Sequence, residues 1–197
     1  MQVLKDEVRN SIHHAALIEF QEKGFKNASM RSIAERGGMT VGNLYRYFAS
    51  KEDLFYAVIS PAYHKIIELT QEPFDNMDNP KEVQQFFEHL ADRIMTINHE
   101  HRRELLILID GSIGTRFEHA IEEITLLVEK KIRDQVFTKL KEKGIHIQDD
   151  FFARVLSVSL IEGMKVILKH YEDGIKMKLL IHQFIHYQLG DLKSRWL

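Results

Sequence analysis

The chain has 197 residues, of which 44 % are hydrophobic and 28 % charged, and it carries a formal net charge of −2. That length buries a real core in one or two domains, and the composition is ordinary for a soluble globular protein. There is no cysteine, which excludes disulfides, thiolate metal sites and a cysteine nucleophile.

The opening MQVLKDEVRN lacks the apolar core of a signal peptide. No apolar run approaches the ~18 residues that span a bilayer, so a cytoplasmic chain with no membrane partner is expected. Val8, Ile12, Ala16 and Phe20 form an i, i+4 stripe, which predicts helix 1 over Gln2 to Lys23. Gly24-Phe25 reads as a Schellman stop, with glycine in the left-handed position and the apolar residue packing back. Helix 2 is expected over about Met30 to Arg36, capped by Ser29. Helix 3 is expected over about Val41 to Phe48, capped by Thr40. Ser50 is placed to cap helix 4, which passes through Leu54, Phe55 and Val58. Pro61 should kink or interrupt that helix, which resumes through Ile66 and Leu69 and ends before Glu72-Pro73.

Pro73 to Pro80 reads as a linker, rich in Asp, Asn and Pro. Helix 5 starts near Pro80 and is apolar at Phe86, Phe87, Leu90, Ile94 and Ile97. Asn98-His99-Glu100-His101 interrupts the pattern, and Leu105 to Ile109 predicts a short helix 6 ending near Gly111–Gly114. Helix 7 is expected over about Phe117 to Lys143, with Gly144-Ile145 as a second Schellman-type stop. Asp149 or Asp150 should cap helix 8, which runs to about Tyr171. Helix 9 runs from about Lys176 to Leu192 or beyond. The chain is therefore expected to be all-α, with about nine helices.

The informative stretch is Ser29 to Leu54, SMRSIAERGGMTVGNLYRYFASKEDL. Two short helices joined by a glycine-containing turn are the helix-turn-helix signature, and Gly38 suits the positive φ such a turn needs. At about 100° per residue, Val41, Leu44 and Phe48 share one side of helix 3. Gly42, Asn43 and Arg46 share the other. From Thr40 to Lys51 there is no acidic residue, but there are two cations and several hydroxyl or amide groups. A helix that enters the major groove needs such a face: cations for phosphates, a few polar groups for base edges. Charge distribution agrees weakly. Residues 1–51 hold eight Lys/Arg and five Asp/Glu, a balance of +3; the remainder balances at −5.

The wording of the stretch resembles the DNA-binding segment of the TetR family (tetracycline-repressor-like regulators). The matching residues are Ser29, Ile33-Ala34, Gly37-Gly38-Met39-Thr40, Gly42-Asn43-Leu44-Tyr45-Arg46-Tyr47-Phe48 and Ser50-Lys51-Glu52-Asp53-Leu54. Upstream, Ile12, Ala15-Ala16, Phe20 and Gly24-Phe25 look like the family's first helix. The resemblance implies a three-helix DNA-binding domain over 1–51 and a helical effector-binding and dimerisation domain over 52–197. It implies DNA contacts at Arg31, Thr40, Gly42, Asn43, Tyr45, Arg46, Tyr47 and Lys51. Val41 stands where relatives often carry a polar contact, so it either touches a thymine methyl or packs.

The same resemblance implies a homodimer through the last two long helices, binding double-stranded operator DNA. Helix 8 is apolar on more than one side, as a helix buried on several sides must be. Val155, Ser159, Gly163, Ile167, Leu180, Phe184 and Tyr187 are the interface candidates. A two-fold dimer sets two recognition helices roughly 34–36 Å apart on a palindrome. A small-molecule effector of unknown identity is implied too. Tyr63, Phe87, Leu90, Ile94, Ile107, Asp110, Phe117 and Ile121 are the pocket candidates, although ordinary core is the bland alternative for each. No cofactor is expected. His182 and His186, one turn apart, and His99 and His101 raise a metal-responsive alternative, but a site needs three or four ligands and only pairs are visible. No Walker loop or nucleophile elbow is present, so an enzyme is not expected. A helix-turn-helix used only for protein contacts is the remaining alternative.

Overall fold

A computed structural model describes residues 2–73, 79–172 and 174–190; the side chains of residues 2–5 and of Pro80 lie outside the description. The elements are α1 (Gln2–Asn27), α2 (Met30–Arg36), α3 (Val41–Tyr45), α4 (Lys51–Gln71), α5 (Pro80–Asp110), α6 (Ala120–Lys131), a π-helical segment (Ile132–Phe137), α7 (Thr138–Glu142), α8 (Phe152–His170) and α9 (Ile175–Leu189). No strand occurs among the described residues, and none of their helices is long and apolar enough to cross a membrane. The expected linker falls largely at 74–78, and Leu192 at the expected end of helix 9; both lie outside the described residues.

Two compact units make up the chain. One comprises Met1–His64 with His101–Ala120, the other Lys65–Glu100 with Ile121–Leu197. The expected boundary at residue 51 falls inside the first unit.

In the first unit Ile12, Ala16, Phe20, Ile33, Leu44, Leu54, Phe55 and Ile59 form one buried cluster, which also takes in Ile107, Leu108 and Phe117. Aromatic edges lock it: Phe55 sits edge-on to Phe20 at 4.9 Å and to Phe25 at 5.2 Å. Such pairs add to the burial term because ring edges and faces carry opposite partial charge. Gly24 has φ +66 and ψ 170, so the positive φ is as expected but the Schellman hydrogen bond is not. The Phe25 amide instead donates to the Gly111 carbonyl, at 2.9 Å. The two glycines lie in contact: a Cβ on Gly111 would stand 3.5 Å from the Gly24 Cα, and one on Gly24 3.6 Å from the Gly111 carbonyl oxygen.

Helix 3 is shorter than expected. The amides of Arg46 and Tyr47 bond three residues back, to Asn43 and Leu44, which tightens the end of the helix. The chain then turns so that Ser50 Oγ caps α4 by accepting from the Asp53 amide at 3.0 Å. Helix 4 runs through Pro61 without the expected interruption.

In the second unit, Phe87, Ile94, Ile97, Ile124, Phe137, Leu160, Met177, Ile181 and Ile185 are buried. The interruption expected at 98–101 falls at its last residue, where α5 is two helical stretches joined across a kink. His101 leaves helical geometry (φ −134, ψ 27), while Asn98, His99 and Glu100 stay helical. Asn98 is buried because its amide donates to the Glu172 carbonyl at 2.7 Å, and a satisfied amide is tolerated in a core. Expected helix 7 starts later, at Ala120, and widens into the π segment, which keeps Ile132, Val136 and Phe137 buried together. At Gly144 the Schellman reading holds: Ile145 donates to Leu140 and Gly144 to Lys141, both at 3.0 Å. The Asp149 carboxylate caps the turn leading into α8, accepting from the Phe151 amide at 2.9 Å.

Candidate nucleic-acid interface

Seven residues form α2 and five form α3, too few to be helical unaided. Each is therefore held from outside. The Ser29 hydroxyl accepts from the Ser32 amide at 3.1 Å, and the Thr40 hydroxyl from the Asn43 amide at 3.2 Å. α2 ends in a full Schellman motif: Met39 donates to Ala34 at 3.0 Å and Gly38 to Glu35 at 3.2 Å. Gly38 has φ +66, where a Cβ would be strained. Ile33, Ala34 and Leu44 point inward and anchor both helices on the core.

Gly42, Tyr45 and Arg46 are exposed and Asn43 is half-buried. Around Gly42 there is open space, with no atom within 4 Å of where a Cβ would stand. The Arg46 guanidinium makes no ion pair among the described residues, whereas exposed Arg31 pairs with Glu35 at 3.1 Å. Val41 and Tyr47 are half-buried and pack against the core cluster. The exposed Thr40 has its hydroxyl engaged as the cap. Lys51 is half-buried, and its ammonium donates to main-chain carbonyls.

One group escaped the sequence reading. The Glu19 side chain is fully buried on α1 and binds four partners. Lys23 Nζ stands at 2.8 Å, Ser32 Oγ at 2.8 Å, the Ser29 amide at 3.3 Å and Arg36 Nε at 3.3 Å. Arg36 also pairs with Glu22. Burial alone would raise the Glu19 pKa, but the hydrogen bonds from Lys23, Ser32 and Ser29 outweigh it and hold the carboxyl below its ordinary value. The signal was available: Glu19 lies seven residues from Ile12 and four from Ala15, on the buried stripe.

The expected pocket residues divide between the units. Ile107 and Phe117 belong to the buried cluster of the first, with Tyr63 packed against it at 5.1 Å from the Phe117 ring. Asp110, a pocket candidate, is exposed at the end of α5. Phe87 and Ile94 are buried in the second unit, and Leu90 and Ile121 are half-buried.

Of the expected interface residues, several serve contacts within the chain. Phe184 packs so closely on Gly163 that a Cβ there would run into the ring. Gln188 donates to Ser159 Oγ at 2.7 Å. Ile167 is buried and Leu180 half-buried, while Val155 and Tyr187 are exposed. The rings of His182 and His186 are 6.2 Å apart. No group of three or more metal-binding side chains forms among the described residues.

Two short capped helices around a Schellman turn, with polar and cationic groups on the outer side of the second, define a helix-turn-helix protein. The family model for bacterial regulatory proteins of the tetR family matches residues 12–58. An HTH-type transcriptional regulator of Staphylococcus aureus is 30 % identical over 139 residues, covering 68 % of this chain and 74 % of its own. The regulator UidR of Escherichia coli is 27 % identical over 142 residues, covering 68 % and 69 %. Among solved structures, a TetR-family regulator from Bordetella parapertussis aligns with a TM-score of 0.70 over 95 % of this chain and 96 % of that one, at 16 % identity; that likeness shows the shared fold. The chain belongs to the TetR family of transcriptional regulators, whose members are DNA-binding regulators and not enzymes.

Proposed function

We propose that the protein is a ligand-responsive cytoplasmic repressor that binds a palindromic operator as a homodimer and is released by a small molecule. The exposed side of α3 carries this reading: Gly42 and Asn43 with Arg46 at the helix end, which makes no ion pair among the described residues, on a helix whose other side is anchored by Leu44. In this reading Arg46 and Tyr45 supply phosphate contacts, and Asn43 and Arg31 read base edges. Gly42 lets the helix approach closely. Val41 and Tyr47 act mainly by packing, and the Thr40 hydroxyl by capping.

Dimerisation is supported by apolar side chains left exposed on both closing helices. These are Val155, Val158 and Val166 on α8, and Ile175, Leu179 and Tyr187 on α9. Exposed apolar residues grouped on neighbouring helices mark interaction surfaces, and two-fold pairs are the commonest oligomers. The effector acts by binding the released form of the dimer better than the DNA-competent form, by the difference in its affinity for the two. Phe87, Leu90, Ile94 and Ile121 of the second unit remain the candidates to line its site.

The test is an anisotropy titration of the protein against duplexes from its own upstream region across a salt series. Arg46→Ala should weaken specific binding about tenfold or more and flatten the salt dependence by about one counterion per chain, with fold and oligomeric state unchanged. Wild-type-like affinity for that variant contradicts the reading.

A further inference from the structure

Lys51 belongs to the matching motif, which implies a phosphate contact, yet the geometry uses its charge elsewhere. It is the first residue of α4, where the helix amides gather partial positive charge and a cation is disfavoured. Its ammonium turns back towards α1. It stands 2.7 Å from the Phe25 carbonyl oxygen, 2.9 Å from that of Ala28 and 3.5 Å from that of Lys26. It also lies 4.4 Å from the centre of the Phe25 ring. An ammonium has three hydrogens, and these carbonyls account for all of them. The carbonyls end α1 and lead into α2, a place where the helix offers them no amide of its own and where a cation is favoured.

The same link is held from its other side. Phe25 donates to Gly111, and the Ser29 amide donates to buried Glu19. Lys51 therefore closes a small network that joins the end of α1, the start of α2 and the start of α4.

We propose that Lys51 is a positioning residue for DNA binding and not a phosphate ligand. It ties α4 to the link at 25–28 and so sets where α2, and α3 after it, stand on the core. A phosphate that took the ammonium would strip Phe25 and Ala28 of a shared donor. This rests on the reading of α3 as the DNA-facing helix.

The discriminating measurement is the salt dependence of operator affinity for full-length Lys51→Met, which keeps the apolar stem and loses the charge. At a temperature where circular dichroism shows the variant folded, its affinity should fall about tenfold while the slope against salt stays that of wild type. Lys51→Arg, which can donate to the same carbonyls, should recover most of the affinity. A slope reduced by about one counterion per chain, as for Arg46→Ala, overturns the proposal. So does unchanged affinity in the folded variant, which would leave Lys51 with a stabilising role alone.

If Lys51→Met does not fold, acetylation of the wild-type protein, read by mass spectrometry, decides. A positioning lysine reacts slowly with and without DNA; a phosphate ligand reacts in the free protein and is protected only by the operator. Absence of any salt-sensitive, sequence-specific binding by wild type would end the regulator reading and this proposal together. Slow acetylation of Lys51 in the free protein would then still separate sound geometry from a wrong function.

Discussion

The pair α2–α3 and the pair α8–α9 solve opposite problems. The first pair has seven and five residues, the second nineteen and fifteen. Short helices cannot hold themselves, so α2 and α3 depend on side-chain caps, a Schellman turn and a few anchors such as Ile33 and Leu44. That leaves the outer side of α3 free to be polar. Long helices have apolar surface in excess of what one partner covers. α8 and α9 use Gly163 and Phe184 to pack together and still expose Val155, Val166 and Leu179. A polar face suits a charged, hydrated partner, whereas an apolar face suits a protein partner.

Three substitutions would sharpen or break that contrast. The largest effect is expected from Leu44→Ala, which empties a fully buried position and should cost about 2–5 kcal/mol. Chemical denaturation followed by circular dichroism measures it. A loss below about 1 kcal/mol would mean that α3 does not depend on its anchor. Next comes Gly163→Ala, whose methyl must displace the Phe184 ring and should cost about 1–3 kcal/mol by overpacking. Its thermal midpoint should fall, and Phe184→Leu in the same chain should recover part of the loss; no recovery would show that the close approach is not what holds the pair. The smallest is Thr40→Ala, about 1 kcal/mol for a lost helix cap. Faster amide exchange at Asn43 should accompany it, because the Thr40 hydroxyl accepts from that amide. Unaltered exchange there would argue that the turn, and not the cap, starts α3.

Local signals in the sequence were read correctly where the physics is local. Ser29, Gly38, Thr40, Ser50 and Gly144 act where they were expected to, because caps and left-handed turns depend on neighbours within a few residues. Polar residues misled where a distant partner satisfies them. Asn98 was grouped with the break at 98–101; the kink itself falls at His101, and Asn98 is buried core, held by Glu172, seventy-four residues away. Glu19 drew no reading from the sequence and is the buried centre of four contacts.

The amino-acid sequence by itself determined the helical class, the helix-turn-helix and its family, since these follow from periodicity, capping residues and a nearly continuous motif. Only the tertiary structure decided which motif residues remain available on the surface. It brought Phe117 into the core of the first unit, turned Lys51 onto the carbonyls that end α1, and left Arg46 exposed. The reason is physical: a side chain's hydrogen bonds and its burial are set by what folding brings within a few ångströms, and spacing along one helix does not carry that information.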